Sequence, residues 1–90
     1  MATVLIPAAC RADTDGAARV DVAGSTVGEV LAGLGARFPA LGARLLDARG
    51  APRRHVAVFV RDEDIRSQQG LETPCGEREE LLLVPALAGG

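Results

Sequence analysis

The spacing of apolar and polar residues in the first quarter of the chain predicts two strands. Residues 4–6 form a short apolar run that Pro7 closes. Residues 19–22 alternate between polar and apolar side chains, as in a strand with one buried face. The turn-forming segment 13–16 lies between the two runs. We therefore expect a β-hairpin with a loose connection.

The next segment changes to helical spacing. Thr26 and Glu29 fit a capping box, in which the hydroxyl accepts a backbone N–H bond and the carboxylate reaches back to the helix start. Pro39 is expected to end this helix. Gly28 and Gly35 either weaken it or permit close packing on a sheet. The apolar stripe consists of Val27, Val30, Leu31, Leu34 and Phe38.

The second half of the chain predicts a short helix and two further strands. Residues 41–46 can form a helical piece, residues 56–60 are a clear β-run, and residues 81–84 are a final apolar run before a proline. Residues 61–64 form a charged turn, and Ile65 is expected to begin a short strand or bridge. The order β-β-α-(short α)-β-β predicts an α+β fold, with one main helix across one face of a mixed sheet of four to five strands.

Alternation along the predicted strands divides their side chains between two faces. The face that should pack against the helix is wholly aliphatic and carries Val4, Ile6, Val56, Val58, Val60, Leu81 and Leu83. The other face carries Leu5, Phe59, Leu82 and Val84, which would form an exposed apolar patch of the kind that binds partner proteins. Alternatively, a loop covers these four residues, or the register is shifted by one residue.

Composition excludes several functions. The 90 residues give room for one small domain, and the net charge of −2 provides no field that would attract nucleic acid. The only aromatic residues are two Phe, and all ten basic residues are Arg, which excludes base-stacking platforms, a P-loop lysine and a Schiff-base lysine. The N-terminus lacks the features of a signal peptide, and no apolar run could span a membrane. We expect a cytoplasmic protein that binds neither nucleic acid nor membrane.

The remaining reactive side chains carry weak signals. Cys10 and Cys75, with the single His55, are too few for a disulfide framework or a zinc site, and no second histidine supports a thiol nucleophile. The acidic residues 62–64 with His55 could suggest a metal site, but a solvated turn is the simpler interpretation. The Arg53-Arg54 doublet could pair with an acidic partner surface or be merely solvated.

The chain closes with small residues and a terminal Gly-Gly. Glycine adds no side-chain bulk, so such a tail can enter a narrow channel, and five extended residues reach about 17 Å. A terminal Gly-Gly alone is a weak signal, because many chains end in small residues. We predict a domain over residues 1–85 and a flexible tail over residues 86–90.

Three segments of the sequence, taken together, indicate a function for the tail. They are residues 26–30 at the helix start, residues 60–66 with residues 70–74, and residues 83–90. In this combination the chain resembles the ThiS/MoaD family of ubiquitin-like sulfur carriers, whose fold is the β-grasp. The resemblance covers essentially the whole chain and is closest to the CysO type. Arg61 and residues 75–79 depart from the family pattern, which affects the choice of partner more than the chemistry.

The resemblance implies a protein cosubstrate rather than an enzyme, with no bound cofactor or metal. A ubiquitin-activating-enzyme-like adenylyltransferase/sulfurtransferase would use ATP and Mg to adenylate the carboxylate of Gly90 and convert it to a thiocarboxylate. Leu87, Ala88 and Gly89 would form the slender tail that enters the partner.

A biosynthetic enzyme would then accept the sulfur. The CysO-type resemblance implies a PLP-dependent cysteine synthase, after which a metallopeptidase frees cysteine from the carrier. Other members of the family serve a thiazole-synthase-like enzyme or the large subunit of molybdopterin synthase, and related carriers supply sulfur-containing natural products. The alternative from another class is a β-grasp interaction module whose tail is never modified.

Overall fold

A computed structural model describes residues 1–85, which form a five-stranded mixed sheet. Its strands are β1 (Ala2–Leu5), β2 (Arg19–Val22), β3 (Val56–Val60), β4 (Glu63–Asp64) and β5 (Glu80–Pro85). They lie in the order β2-β1-β5-β3-β4, with β1 and β5 parallel and every other neighbouring pair antiparallel. The predicted mixed sheet with one main helix is confirmed.

The first two strands pair as the predicted hairpin, with a structured connection. A 3₁₀ helix, Ala8–Thr14, occupies most of the loop, and the turn after it contains two residues with left-handed backbone, Asp15 at φ 56° and Gly16 at φ 87°. β1 begins earlier than the run at residues 4–6. Ile6 lies just beyond it, although its N–H still donates to the carbonyl of Ala18 at 2.8 Å. The turn signal therefore shapes the end of the connection, while the 3₁₀ helix, which buries Cys10 and Thr14, makes it less loose than expected.

Helix α1 (Val27–Arg37) begins where the capping box predicts. Thr26 is the N-cap and its Oγ1 accepts from the N–H of Glu29 at 3.2 Å. The Glu29 carboxylate reaches back one residue further than the motif implies and accepts from the N–H of Ser25 at 2.8 Å and from its hydroxyl at 3.1 Å. The Ser25 N–H bond, and then the bond from the Ser25 hydroxyl, lower the pKa of Glu29. Both bonds satisfy donors at the helix start that would otherwise need water.

Pro39 ends α1 and also begins the next helix. Helix α2 (Pro39–Leu45) starts two residues before the predicted piece, because proline fits the first helical turn, where no intrahelical N–H bond is needed. Close packing on the sheet was one alternative for Gly28 and Gly35, but Gly35 instead faces Gly42 of α2. A Cβ on Gly42 would lie 3.0 Å from the Cα of Gly35. Gly28 approaches Leu71, and the glycine of α1 that packs against the sheet is Gly33, where a Cβ would lie 2.8 Å from Val22 Cγ1.

One core lies between the two helices and the inner face of the sheet. All seven residues predicted for that face are buried, and the buried α1 positions Val27, Val30, Leu31 and Leu34 pack in the same cluster. Phe38 packs against the core but remains partly exposed. The amphipathic stripe and the strand alternation therefore meet as the sequence predicts.

The segment after β3 differs from the expectation. Arg61 and Asp62 form a tight turn with φ values of 55° and 62°, and β4 then contains only Glu63 and Asp64. Ile65 is buried but begins a 3₁₀ helix, Ile65–Ser67, instead of a strand. The Asp64 carboxylate causes this change, since it accepts from the N–H of Arg66 at 2.8 Å and so caps the helical turn.

Two adjacent leucines of β5 test this assignment of faces. Leu81 has no exposed surface, whereas Leu82 is 44% exposed. We expect Leu81→Ala to lower the free energy of unfolding by about 2–5 kcal/mol, because it leaves a cavity in the core. Leu82→Ala should cost less than about 1 kcal/mol, as is usual at an exposed site. Urea denaturation of both variants measures the difference, and equal losses would contradict the register.

Candidate functional site

The outer face of the sheet carries a row of apolar side chains. Leu5 pairs with Leu82 across β1 and β5, and Phe59 pairs with the same Leu82 across β3 and β5. Val84 lies two residues further along β5 and pairs with Ala57. Leu82 and Val84 are 44% and 41% exposed, and Leu5 and Phe59 are half-buried. The four residues predicted for the patch therefore share one face, and we call them the apolar patch.

Neither alternative for these residues describes the structure. Leu81 and Leu83 are buried, so the register is not shifted by one residue. The exposure of Leu82 and Val84 also means that no loop within residues 1–85 covers the centre of the patch. Whether a partner binds here remains a prediction.

Charged side chains surround the apolar patch. An ion pair joins Arg19 and Glu80 at 2.6 Å, and the Thr3 hydroxyl donates to Asp21 at 2.8 Å. A shallow depression of about 500 Å³ has Leu5, Phe59 and Leu82 as its apolar lining. The charged residues that line it are Arg61, Asp62, Arg78, Glu79 and Glu80. An apolar centre inside a polar rim is the usual composition of a protein-binding surface.

Arg61 joins three loops at one edge of this depression. Its guanidinium pairs with the Glu79 carboxylate, donates to the Gln68 side chain at 3.1 Å and donates to the carbonyl of Pro74 at 3.2 Å. The N–H of Gly76 also donates to Glu79 at 2.7 Å. The Gly76 bond, and then Arg61, hold the pKa of Glu79 below its usual value. These bonds compensate for the left-handed backbone that a non-glycine residue adopts at Arg61.

The two cysteines lie in the interior. Cys10 and Cys75 are 2% and 3% exposed and both are free thiols. Burial raises the pKa of Cys75, and the nearby Glu79 carboxylate raises it further. A protonated, buried thiol is a poor nucleophile. The structure therefore gives Cys75 a packing role.

The tail begins beside the apolar patch. Pro85 is the last described residue and pairs with Val56, the first residue of β3. Because β1 and β5 are parallel, the C-terminal ends of both strands, which carry Leu5 and Val84, lie at the same end of the sheet as Pro85. The predicted sulfur-attachment residue Gly90 and the tail residues Leu87, Ala88 and Gly89 lie outside the described residues.

The residues that could suggest a metal site, His55 and the acidic residues 62–64, do not lie together. His55 is exposed in the turn before β3, whereas the acidic residues 62–64 follow that strand. Within residues 1–85, no three His, Cys, Asp or Glu side chains cluster in a way that could hold a metal ion. None of the helices in this part of the chain is long and apolar enough to cross a membrane.

Comparison with known proteins identifies the relatives of this chain. The ThiS family profile matches residues 4–90, which includes the terminal Gly-Gly. The chain belongs to the ThiS family. Its general role is therefore that of a sulfur carrier, a small protein cosubstrate rather than a catalyst.

Individual ThiS-family relatives agree in sequence and in fold. Sulfur carrier protein CysO of Mycobacterium tuberculosis is 37% identical over 90 residues, covering 98% of this chain and 97% of the relative. The structure of the Amycolatopsis orientalis BexX/CysO complex matches with a TM-score of 0.89 and 36% identity, covering 100% of both chains. The small archaeal modifier protein 1 of Methanosarcina acetivorans has a TM-score of 0.84 at 24% identity, covering 99% of this chain and 95% of that one, and supports the β-grasp fold alone.

The Arg61 network is the feature of this ThiS-family site that the sequence analysis missed. Its members Arg61 and Glu79 are 18 residues apart, and no short motif links them. The only signal was that Arg61 and residues 75–79 both depart from the family pattern. The structure shows that these two departures contact each other.

The Glu79 carboxylate should make stability depend on pH. Because its pKa is lowered in the folded protein, the ionised form stabilises the fold above the unfolded-state pKa of about 4.3. This contribution is lost as the pH falls through the lower folded-state pKa. We expect Glu79→Gln to reduce the melting temperature near pH 7 and to differ less from the parent as the pH is lowered below about 4.

Thermal unfolding between neutral and acidic pH measures this effect, with the exposed neighbour substitution Glu77→Gln as the control. A difference between Glu79→Gln and the parent that stays constant over the whole range would contradict the assignment.

Proposed function

We propose that this protein carries sulfur as a thiocarboxylate on Gly90. The match of the family profile through residue 90 carries the proposal, because it includes the Gly-Gly terminus on which the chemistry depends. The apolar patch beside the start of the tail supports it, since a partner that takes the tail must also contact the body of the domain.

The terminal carboxylate needs activation before it can accept sulfur. A free α-carboxyl has a pKa near 3.3–3.7, so at neutral pH it is an anion and a poor electrophile. In the proposed reaction a carboxylate oxygen attacks the α-phosphorus of ATP and pyrophosphate leaves. Hydrosulfide released from the sulfur donor then attacks the acyl carbon, AMP leaves, the S–H proton is lost to water, and a thiocarboxylate remains on Gly90.

The activating partner supplies the catalysis in this scheme. This chain has no lysine for a P-loop, so a partner must bind ATP and Mg. Membership of the ThiS family supports a ubiquitin-activating-enzyme-like adenylyltransferase/sulfurtransferase as that partner. The carrier contributes the apolar patch for docking and the residues 86–90 for delivery. The requirement for ATP agrees with the cytoplasmic location expected from the sequence.

Cysteine biosynthesis is the favoured destination of the sulfur. Identity of 37% with sulfur carrier protein CysO supports a PLP-dependent cysteine synthase as the acceptor. The BexX/CysO complex supports the more general proposal that carriers of this type deliver sulfur within a protein complex. A thiazole-synthase-like enzyme, the large subunit of molybdopterin synthase and an enzyme making a sulfur-containing natural product are the alternative acceptors.

Mass spectrometry tests the thiocarboxylate directly. The chain is incubated with ATP, Mg, an activating enzyme of the proposed class and a sulfur donor, and is then digested with trypsin. Cleavage after Arg78 releases residues 79–90, which contain no further arginine. We expect this peptide to gain the mass of one sulfur in exchange for one oxygen. That gain is close to the mass of an added oxygen, but the peptide contains no methionine or cysteine that oxidation could modify.

Two controls make the result decisive. A chain that lacks Gly90 should show no mass change in this peptide, and omission of ATP should have the same effect. If the intact chain binds the activating enzyme but its C-terminal peptide shows no change of mass, the carrier proposal is contradicted and the interaction module is favoured.

A branched residue at position 89 should block loading. We expect Gly89→Val to reduce thiocarboxylate formation by about tenfold or more, because a Cβ-branched side chain restricts the backbone and widens the tail next to the reacting carboxylate. Ala86→Val is the matched control, since it adds bulk far from that carboxylate. Thermal unfolding of both variants should match the parent. Equal loading of all three proteins would contradict a narrow approach at Gly89.

A further inference from the structure

The turn before β3 places two arginines near Pro85, the last residue before the tail. β3 begins at Val56, and Val56 lies opposite Pro85, the residue after which the tail begins. Arg53 and Arg54 directly precede this strand and are both exposed. The strand register therefore brings a basic doublet beside the segment that a partner must grasp.

The backbone of this turn is held in place. The N–H of Arg53 donates to the carbonyl of Leu45 at 2.8 Å, and its carbonyl accepts from the N–H of Val56 at 2.9 Å. The Arg53 Nε also donates to the carbonyl of Ala43 at 3.2 Å. These bonds attach the turn to α2 and to β3, so the doublet has a fixed position relative to Pro85.

Neither arginine of the doublet forms an ion pair within the described residues. The ion pairs between described residues use Arg19, Arg44, Arg61 and Arg66, and neither Arg53 nor Arg54 takes part in any of them. Asp47 lies in the same loop, and its carboxylate accepts from the N–H groups of Arg49 and Ala51. These bonds, and then the charges of Arg49 and Arg53, lower the pKa of Asp47, but no ion pair forms between Asp47 and Arg53. The whole chain has a net charge of −2, so this positive site is local and does not reflect a basic surface overall.

We propose that Arg53 and Arg54 bind an acidic surface on the activating enzyme, beside the entrance of the channel that receives the tail. This inference rests on the proposed function and adds the chemistry of the partner surface. Guanidinium groups pair with carboxylates through two parallel hydrogen bonds, and complementary charges at an interface raise the rate of encounter and set orientation. The five residues of the tail span at most about 17 Å, so the reacting carboxylate can lie up to that distance from Pro85. In the proposal the doublet therefore holds the body of the carrier against the enzyme and does not contact the reacting carboxylate.

Charge reversal at Arg54 tests the proposal. Its substitution removes none of the hydrogen bonds found within residues 1–85, so Arg54→Glu should leave the fold intact. The assay is ATP–pyrophosphate exchange by the activating enzyme, with the carrier and ATP varied separately. We expect the KM for the carrier to rise by about tenfold or more at low salt, less at high salt, with kcat nearly unchanged. Arg54→Gln should give a smaller rise of about threefold.

Arg37→Glu is the matched control because it makes the same change of net charge. Arg37 lies at the end of α1 and donates to the carbonyl of Asp21 in β2, at the opposite edge of the sheet from β3 and β4. We expect its KM to stay within about twofold of the parent. Thermal unfolding of each variant verifies that the folded protein is assayed.

The possible outcomes distinguish a failure of the proposed function from a failure of the inference about Arg53 and Arg54. A parent chain that supports no exchange overturns the proposed function and this inference with it. A normal parent with Arg54→Glu indistinguishable from Arg37→Glu overturns the inference alone. An increase in the KM for ATP, instead of that for the carrier, also overturns it, because Arg54 would then contact the nucleotide phosphates and not the enzyme surface.

Discussion

The alternation of side chains along β5 is the constraint on which the rest of the structure depends. Leu81 and Leu83 enter the core, while Leu82 and Val84 face outward, and the same strand leads directly into the tail. β5 lies between β1 and β3, so its register also sets which of their side chains are buried. Because the period is two residues, a shift by one would exchange the core for the outer face.

The outer face is less favourable for an isolated domain than a fully polar one. Half-exposed Leu82 and Val84 leave apolar area in water, and burial of such area is worth roughly 25 cal/mol per Å². The surrounding ion pairs contribute little to stability because they are exposed, as at Arg19 and Glu80. The exposed apolar area of this face therefore favours the docking role proposed for it, and the face lies beside Pro85, which precedes the tail on which Gly90 would react.

Local patterns in the sequence were sufficient for most of the fold. Strand alternation identified the buried residues of β3 and β5, and the Thr26 cap marked the start of α1. What failed depends on contacts that no local pattern encodes. Ile65 carries a strand-forming side chain, yet the Asp64 cap turns the backbone into a 3₁₀ helix. The sequence leaves open whether Gly28 and Gly35 weaken the helix or permit close packing, and their partners Leu71 and Gly42 can be identified only from the packed structure.

The candidate site also has one part that local sequence patterns predict and one part that they do not. The apolar patch follows from period-two alternation and was predicted residue by residue, whereas the Arg61–Glu79 network needs loops that are distant in sequence.

The reactivity of the body matters if Gly90 is activated as proposed. An acyl-adenylate reacts with amines and thiolates, so nucleophiles on the carrier would compete with the sulfur donor. All ten basic residues of this chain are arginines, which stay protonated and do not attack acyl groups. Cys10 and Cys75 are buried, and the pKa of Cys75 is raised. The folded body therefore presents no lysine amine and no exposed cysteine thiol, and the exposed imidazole of His55 is the remaining nitrogen nucleophile among its side chains.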